Sequence, residues 1–165
     1  MSGKLNEIFR KIQEVISKKR VLIIGVGNEL KGDDGVGVYI ARSLLASGYD
    51  KYVINTGIAP ENFTSVIWKK SPEVIIIVDA VDFHKKPGSL LFENIENLSE
   101  VCYFISTHKL PIQLFSSVIK ETLKDVEIFL LGIQPKKTTL GSNLSEEVRE
   151  SADKLIKFLM KLLRN

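Results

Sequence analysis

Asp34, Asp79 and His108 are the side chains whose types and settings point to chemistry. Asp34 lies in the polar, glycine-rich stretch Gly25-Val26-Gly27-Asn28-Glu29-Leu30-Lys31-Gly32-Asp33-Asp34-Gly35-Val36-Gly37. Asp79 directly follows the apolar run Val74-Ile75-Ile76-Ile77-Val78, and His108 stands in Ser106-Thr107-His108-Lys109-Leu110-Pro111. Two carboxylates and an imidazole meeting at one point suit a divalent transition metal such as nickel or zinc, whereas calcium and magnesium prefer all-oxygen shells. Each residue also has a plain structural reading: Asp34 as a helix N-terminal acid, Asp79 as a turn former, His108 as a helix cap. The other histidine, His84, falls in the polar turn Phe83-His84-Lys85-Lys86-Pro87 and reads as solvated.

These three can meet only if the chain brings three loops together, and the hydrophobic pattern describes elements that do so. Leu5, Ile8, Phe9, Ile12, Val15 and Ile16 recur at helical spacing and predict an amphipathic helix over ~4–18. Val21-Leu22-Ile23-Ile24 reads as a buried strand, and a helix from about Gly35 should stop at Gly48, a natural C-cap. Tyr52-Val53-Ile54 predicts a second strand, and 61–70 a helix behind Pro60. The continuous apolar run 74–78 marks a central strand covered on both faces. Ser89-Leu90-Leu91-Phe92 should be a strand near an edge, 110–123 a helix, and 128–132 the last strand. Ser145 is expected to cap a terminal helix with Glu146 and Glu147 in its first turn and Val148, Ala152, Leu155, Ile156, Leu159 and Leu163 on its apolar face. Strands alternating with helices give an α/β fold around a largely parallel sheet. In such sheets chemistry gathers in the crevice beyond the carboxyl ends of the strands, where all three loops would open.

Composition narrows the function classes. At 165 residues, 44% apolar and 26% charged, the chain fits one globular domain, 1–165. Lys and Arg number 23 against 20 Asp and Glu, and the lysines are scattered, so no basic face for nucleic acid is present. The lone Cys102 excludes an internal disulfide and a cysteine-based zinc site and suits a reducing compartment. No apolar run approaches the ~18 residues that span a bilayer, and the N-terminus has no signal-peptide core, so a cytoplasmic protein without membrane insertion is expected.

The glycine stretch after the first strand invites a dinucleotide-binding reading, which its residues refuse. G-x-G-x-x-G would need glycine where Leu30 stands, and the second strand ends in Asn55 rather than a ribose-binding acid. Adjacent carboxylates at the helix start would repel a pyrophosphate, and Lys31 is not followed by Ser or Thr as a P-loop requires. Glycines 25, 27, 35 and 37 are expected to serve close backbone approach instead. Asn28 could hold this loop or bond substrate backbone, and Glu29 could face solvent. Nor is there a convincing nucleophile: Cys102 sits in the apolar run Val101-Cys102-Tyr103-Phe104 and reads as a small packing residue, and Ser106 and Thr107 as loop-orienting neighbours of His108.

Five pieces, in order along the chain, carry a resemblance. They are Gly25 to Gly37 with Asn28 and Asp33-Asp34-Gly35; Ala59-Pro60-Glu61-Asn62; Ile77-Val78-Asp79-Ala80; Thr107-His108 with Pro111; and Leu131-Gly132-Ile133-Gln134-Pro135. Together they resemble the NiFe-hydrogenase maturation endopeptidases, over roughly residues 20–163. The second and last pieces are most similar to the branch serving hydrogen-evolving, formate-hydrogenlyase-type (hydrogenase 3-like) enzymes. The resemblance implies a three-layer α/β/α sandwich of the phosphorylase/hydrolase-like kind, with about five strands. It implies an endopeptidase that removes the C-terminal extension of the nickel-loaded large-subunit precursor, with Asp34, Asp79 and His108 as the metal-contacting and catalytic residues. Nickel is then expected in the substrate rather than resident in the enzyme, and a monomer acting transiently is the expected form. Residues 1–19 lie ahead of where such proteins usually begin, as an N-terminal helical extension. Asn55-Thr56-Gly57 stands where many relatives carry Asp-Gly-Gly. Two alternatives use the same residues: a nickel-sensing docking chaperone without protease activity, and a self-sufficient metallopeptidase.

Overall fold

The computed structural model describes residues 2–98, 105–106 and 112–164. Its elements run α1 (Ser2–Ile16), β1 (Val21–Val26), a 3-10 segment (Glu29–Gly35), α2 (Val36–Ala46), β2 (Val53–Gly57), a 3-10 turn (Pro60–Phe63), α3 (Thr64–Lys70), β3 (Val74–Asp82) and β4 (Leu90–Asn94). There follow a short 3-10 turn (Ile95–Asn97), β5 (Ile105–Ser106), α4 (Ile112–Thr122), β6 (Glu127–Ile133) and α5 (Glu146–Leu163).

Strand order is β2-β1-β3-β6-β4, parallel throughout except for the antiparallel edge strand β4. β3 is central, paired with β1 from Val21↔Val74 and with β6 from Val74↔Glu127. Its side chains alternate between two cores, which is why the run is apolar at every position. Val74, Ile76, Val78 and Ala80 join Ile8 and Ile12 of α1, Ile40 and Leu44 of α2, and Val148 and Leu155 of α5. Ile75, Ile77 and Val81 join Ile67 of α3 and Phe115 and Ile119 of α4. The result is the three-layer α/β/α arrangement with five strands in the main sheet. β5 is an addition: it pairs antiparallel with the far end of β3, at Val81↔Ser106.

The N-terminal helix packs on the body as its pattern predicts, with the Phe9 ring stacked 4.0 Å from that of Phe158 on α5. Gly48 closes α2 at φ +86, its N–H bonded to Leu45 O. Other boundaries differ for local reasons. The helix expected over 61–70 begins as a 3-10 turn at Pro60, and β3 continues four residues past Val78 to Asp82. Ser145 occupies the N-cap position of α5 but makes no side-chain cap bond; its hydroxyl is committed elsewhere, as shown below. The expected start of the helix at Leu110 lies outside the described residues. No helix among the described residues is long and apolar enough to cross a membrane.

One contact fixes how α2 lies on the sheet. A Cβ built on Gly37 would stand 2.2 Å from both Val26 O and Val78 O, so the first turn of α2 rests on the carboxyl ends of β1 and β3. That approach sets Asp34, three residues earlier, and Asp79, one residue past Val78, at the same end of the sheet. Gly37→Ala is therefore expected to cost about 3 kcal/mol, the upper end of ordinary overpacking, because two backbone carbonyls must yield. Urea denaturation measures it, and a loss under about 0.5 kcal/mol, typical of open surface positions, would contradict the close approach.

Candidate active site

The buried polar side chains show where this molecule spends its electrostatic effort. Asp33, Asp34, Thr56, Asp79 and Gln134 all lie at or just beyond the carboxyl ends of β1, β2, β3 and β6. Among the described residues one other polar side chain is buried, Ser116, which returns its hydroxyl to Ile112 O within α4. A buried polar group is costly unless partnered, so such a cluster is built rather than incidental.

Local chemistry shapes the loop after β1. Asn28 Oδ1 accepts from Leu30 N at 3.0 Å and caps the 3-10 segment, so of its two expected roles it holds the loop. Glu29 is exposed and pairs with Arg42 at 2.5 Å. Gly32 breaks the segment at φ 57, ψ −123, a conformation that only glycine adopts readily. A Cβ there would stand 2.3 Å from Ser142 Oγ and 2.6 Å from Lys137 O, so Gly32 also admits the loop that follows β6.

The two adjacent acids then divide. Asp33, fully buried, turns toward that second loop. Its Oδ2 accepts from Lys136 N (2.8 Å), Lys137 N (2.8 Å) and Ser145 Oγ (2.9 Å), and its Oδ1 from Ser145 N (2.6 Å). Asp33 N donates in return to Lys137 O at 2.9 Å. Asp34, 2% exposed, sits one residue ahead of the N-cap of α2, and its carbonyl accepts from Asn28 N at 3.1 Å. Asp79 is 1% exposed, on the part of β3 that lies beyond its last pair with β1, and its Oδ1 accepts from Ala80 N at 2.8 Å.

Two further residues shape the rim. Thr56 donates to Gly25 O of β1 at 3.1 Å and Asn55 Oδ1 accepts from Gly57 N at 3.1 Å, so the Asn55-Thr56-Gly57 departure forms the end of β2, tied to β1 and to itself. Gln134 Oε1 accepts from Phe83 N (2.9 Å) and Lys85 N (3.1 Å), while its Nε2 donates to Asp82 (3.0 Å). The His84 N–H and then the Gln134 amide hold the Asp82 carboxyl below the usual aspartate value of 3.8. His84 is exposed in this turn, as its setting suggested.

Of the three residues singled out by type and setting, the structure brings Asp34 and Asp79 to one end of the sheet, and His108 lies outside the described residues, as do Cys102 and Thr107. Among the described residues, no three His, Cys, Asp or Glu side chains group as a metal site. Residue type and setting do not mark Gly32, Asp33 or Gln134 as structural, although all three stand in the motif pieces themselves.

Comparison with known proteins decides the family. Residues 38–162 match the family model for hydrogenase maturation proteases. This chain belongs to the hydrogenase maturation protease family. The crystal structure of a NiFe-hydrogenase maturation protease from Thermococcus kodakarensis superposes with a TM-score of 0.83 at 33% identity, covering 94% of this chain and 99% of that one. A second maturation protease from the same organism gives 0.74 at 31% identity, covering 87% and 99%. The hydrogenase 3 maturation protease of Escherichia coli is 29% identical over 133 residues, 80% of this chain and 83% of its own length. The chain is thus an endopeptidase of the hydrogenase 3-like branch, and its five-stranded sheet is that of the family.

Within this maturation protease Asp33→Ala leaves four donors without their acceptor and is expected to cost at least about 3 kcal/mol in chemical denaturation. A loss under about 0.5 kcal/mol, typical of open surface positions, would refute the clamp. Asp82 gives a pH test. A carboxyl lowered on folding stabilises fully above its unfolded value and loses that contribution as the pH falls through the folded one. Asp82→Ala should accordingly flatten the acid limb of stability below pH 3.8, and an unchanged limb would contradict the Gln134 and His84 bonds.

Proposed function

We propose that this protease removes the C-terminal extension of a nickel-loaded NiFe-hydrogenase large-subunit precursor, and that Asp34, Asp79 and His108 recognise the nickel carried by that substrate. The observation that carries the reading is a pair of almost fully buried carboxylates at the carboxyl end of the sheet, in a chain of the maturation protease family. His108 is included on the sequence, where it stands in the Thr107-His108 piece with Pro111.

Carboxylates and imidazole are ligands that nickel accepts, and a dication balances the charge of two buried acids. Binding the metal of the substrate converts recognition into proximity, because it seats the neighbouring peptide bond beside the same carboxylates. Precursor without nickel loses these contacts, so discrimination is a difference in affinity between two forms of one substrate. Hydrolysis adds water across the scissile carbonyl, breaks the C–N bond and delivers a proton to the leaving amine. Asp34 or Asp79 is suited to take the proton from water, and the nickel to polarise the carbonyl or activate that water. The reaction belongs in the cytoplasm and is carried out by a monomer, as the lone cysteine and transient encounter suggest.

Asp34→Asn, Asp79→Asn and His108→Ala test this. Each is expected to lower the rate of precursor processing by on the order of 10²-fold or more, read by mass spectrometry of the released peptide, with the folded far-UV signature retained. Processing at the normal rate by all three variants would overturn the assignment.

A further inference from the structure

Large apolar side chains stand exposed in two settings among the described residues. Val66 and Leu114 lie singly on helices α3 and α4, as scattered surface hydrophobes do. Leu30 (69% exposed), Ile58 (63%) and Leu140 (71%) instead follow β1, β2 and β6, and so gather at the end of the sheet that holds Asp34 and Asp79.

Their backbone is held in place. Leu30 N bonds Asn28 Oδ1, and Leu30 O accepts from Gly141 N at 2.7 Å, which makes the Leu30 and Leu140 loops neighbours. On either side of Leu140 and Gly141, Thr139 O accepts from Ser142 N (3.2 Å) and Ser142 Oγ (2.6 Å). The Asp33 carboxylate fastens the same two loops from beneath. Ile58 adjoins them through the bond from Gly27 N to Gly57 O at 2.9 Å. A leucine displayed on a locked backbone forfeits little freedom when it is covered, which is what a preorganised contact requires.

Charge completes the description. Lys31 beside Leu30 and Lys137 on the Leu140 loop are exposed, and among the described residues neither side chain is in an ion pair, whereas Lys136, next to Lys137, is held by Glu147 at 2.6 Å.

We infer that Leu30, Ile58 and Leu140, flanked by Lys31 and Lys137, form the docking surface for the protein substrate, and that it takes a precursor surface of apolar side chains bordered by carboxylates. The inference rests on the proposed function, since it is continuous with the site assigned there. A folded partner whose chain must reach acids 1–2% exposed has to meet the rim around them. Nickel recognition then selects the loaded precursor, and the rim selects the precursor as a protein.

The test is the affinity of purified precursor for the full-length protease, measured alongside KM. Leu30→Asp and Leu140→Asp place a charge on exposed positions and should leave the fold intact. Each is expected to weaken binding, and to raise KM, at least about tenfold, as a contact residue does. Val66→Asp and Leu114→Asp, also exposed (40% and 52%) but on helices α3 and α4, are the controls and should change neither. Unchanged affinity for both rim variants, or an equal loss in the controls, overturns the docking surface. Precursor that binds in a Leu30- and Leu140-dependent way but is never cut would uphold the docking surface and defeat the cleavage reading instead.

Discussion

A buried carboxylate tied to a second loop is the constraint on which the working end of this molecule depends. Asp33 has no solvent exposure, and a charge in that position persists only because its oxygens are saturated by two backbone N–H groups of the 136–137 turn and by both the backbone and the hydroxyl of Ser145. The bonds span more than a hundred positions in sequence and join the loop after β1 to the loop after β6. They also explain why Ser145, at the head of α5, spends its hydroxyl on Asp33 rather than on its own helix. Once those loops are fixed, the direction of the next side chain, Asp34, is no longer free.

The rest of the sheet end follows from that clamp and from one close packing contact. Gly37 allows α2 to rest directly on Val26 and Val78, which brings the segment carrying Asp34 over the strand carrying Asp79. Gln134 secures the far side by bonding the turn after β3. Asn28, Asp33, Thr56 and Gln134 thus hold the loops and strand ends among which the proposed metal-recognising acids, Asp34 and Asp79, and the proposed docking rim are set.

Element type was legible in the sequence wherever burial alone determines it. The uninterrupted run 74–78 reads as a central strand because both faces are covered, and 89–92 reads as an edge because Pro87-Gly88 introduces it. Asp34 and Asp79 were legible as site candidates because each directly leaves a buried strand or its loop. What the sequence withheld depends on contacts between distant segments. Nothing local separates Asp33 from Asp34, since what marks Asp33 is the arrival of residues 136–145 against its carboxylate. Gly32 likewise looks like any loop glycine until the Ser142 hydroxyl is found where its side chain would be. Ser145 satisfies the rule for a helix cap in position and departs from it in bonding, for the same long-range reason.

The central claim is that substrate metal, not sequence alone, licenses cleavage by this maturation protease. It is tested most directly by incubating the purified chain with one large-subunit precursor in two forms, nickel-loaded and nickel-free. The account predicts loss of a short C-terminal peptide from the loaded form only. Equal cleavage of both forms would contradict it, since the protease would then be supplying all of its own catalytic machinery.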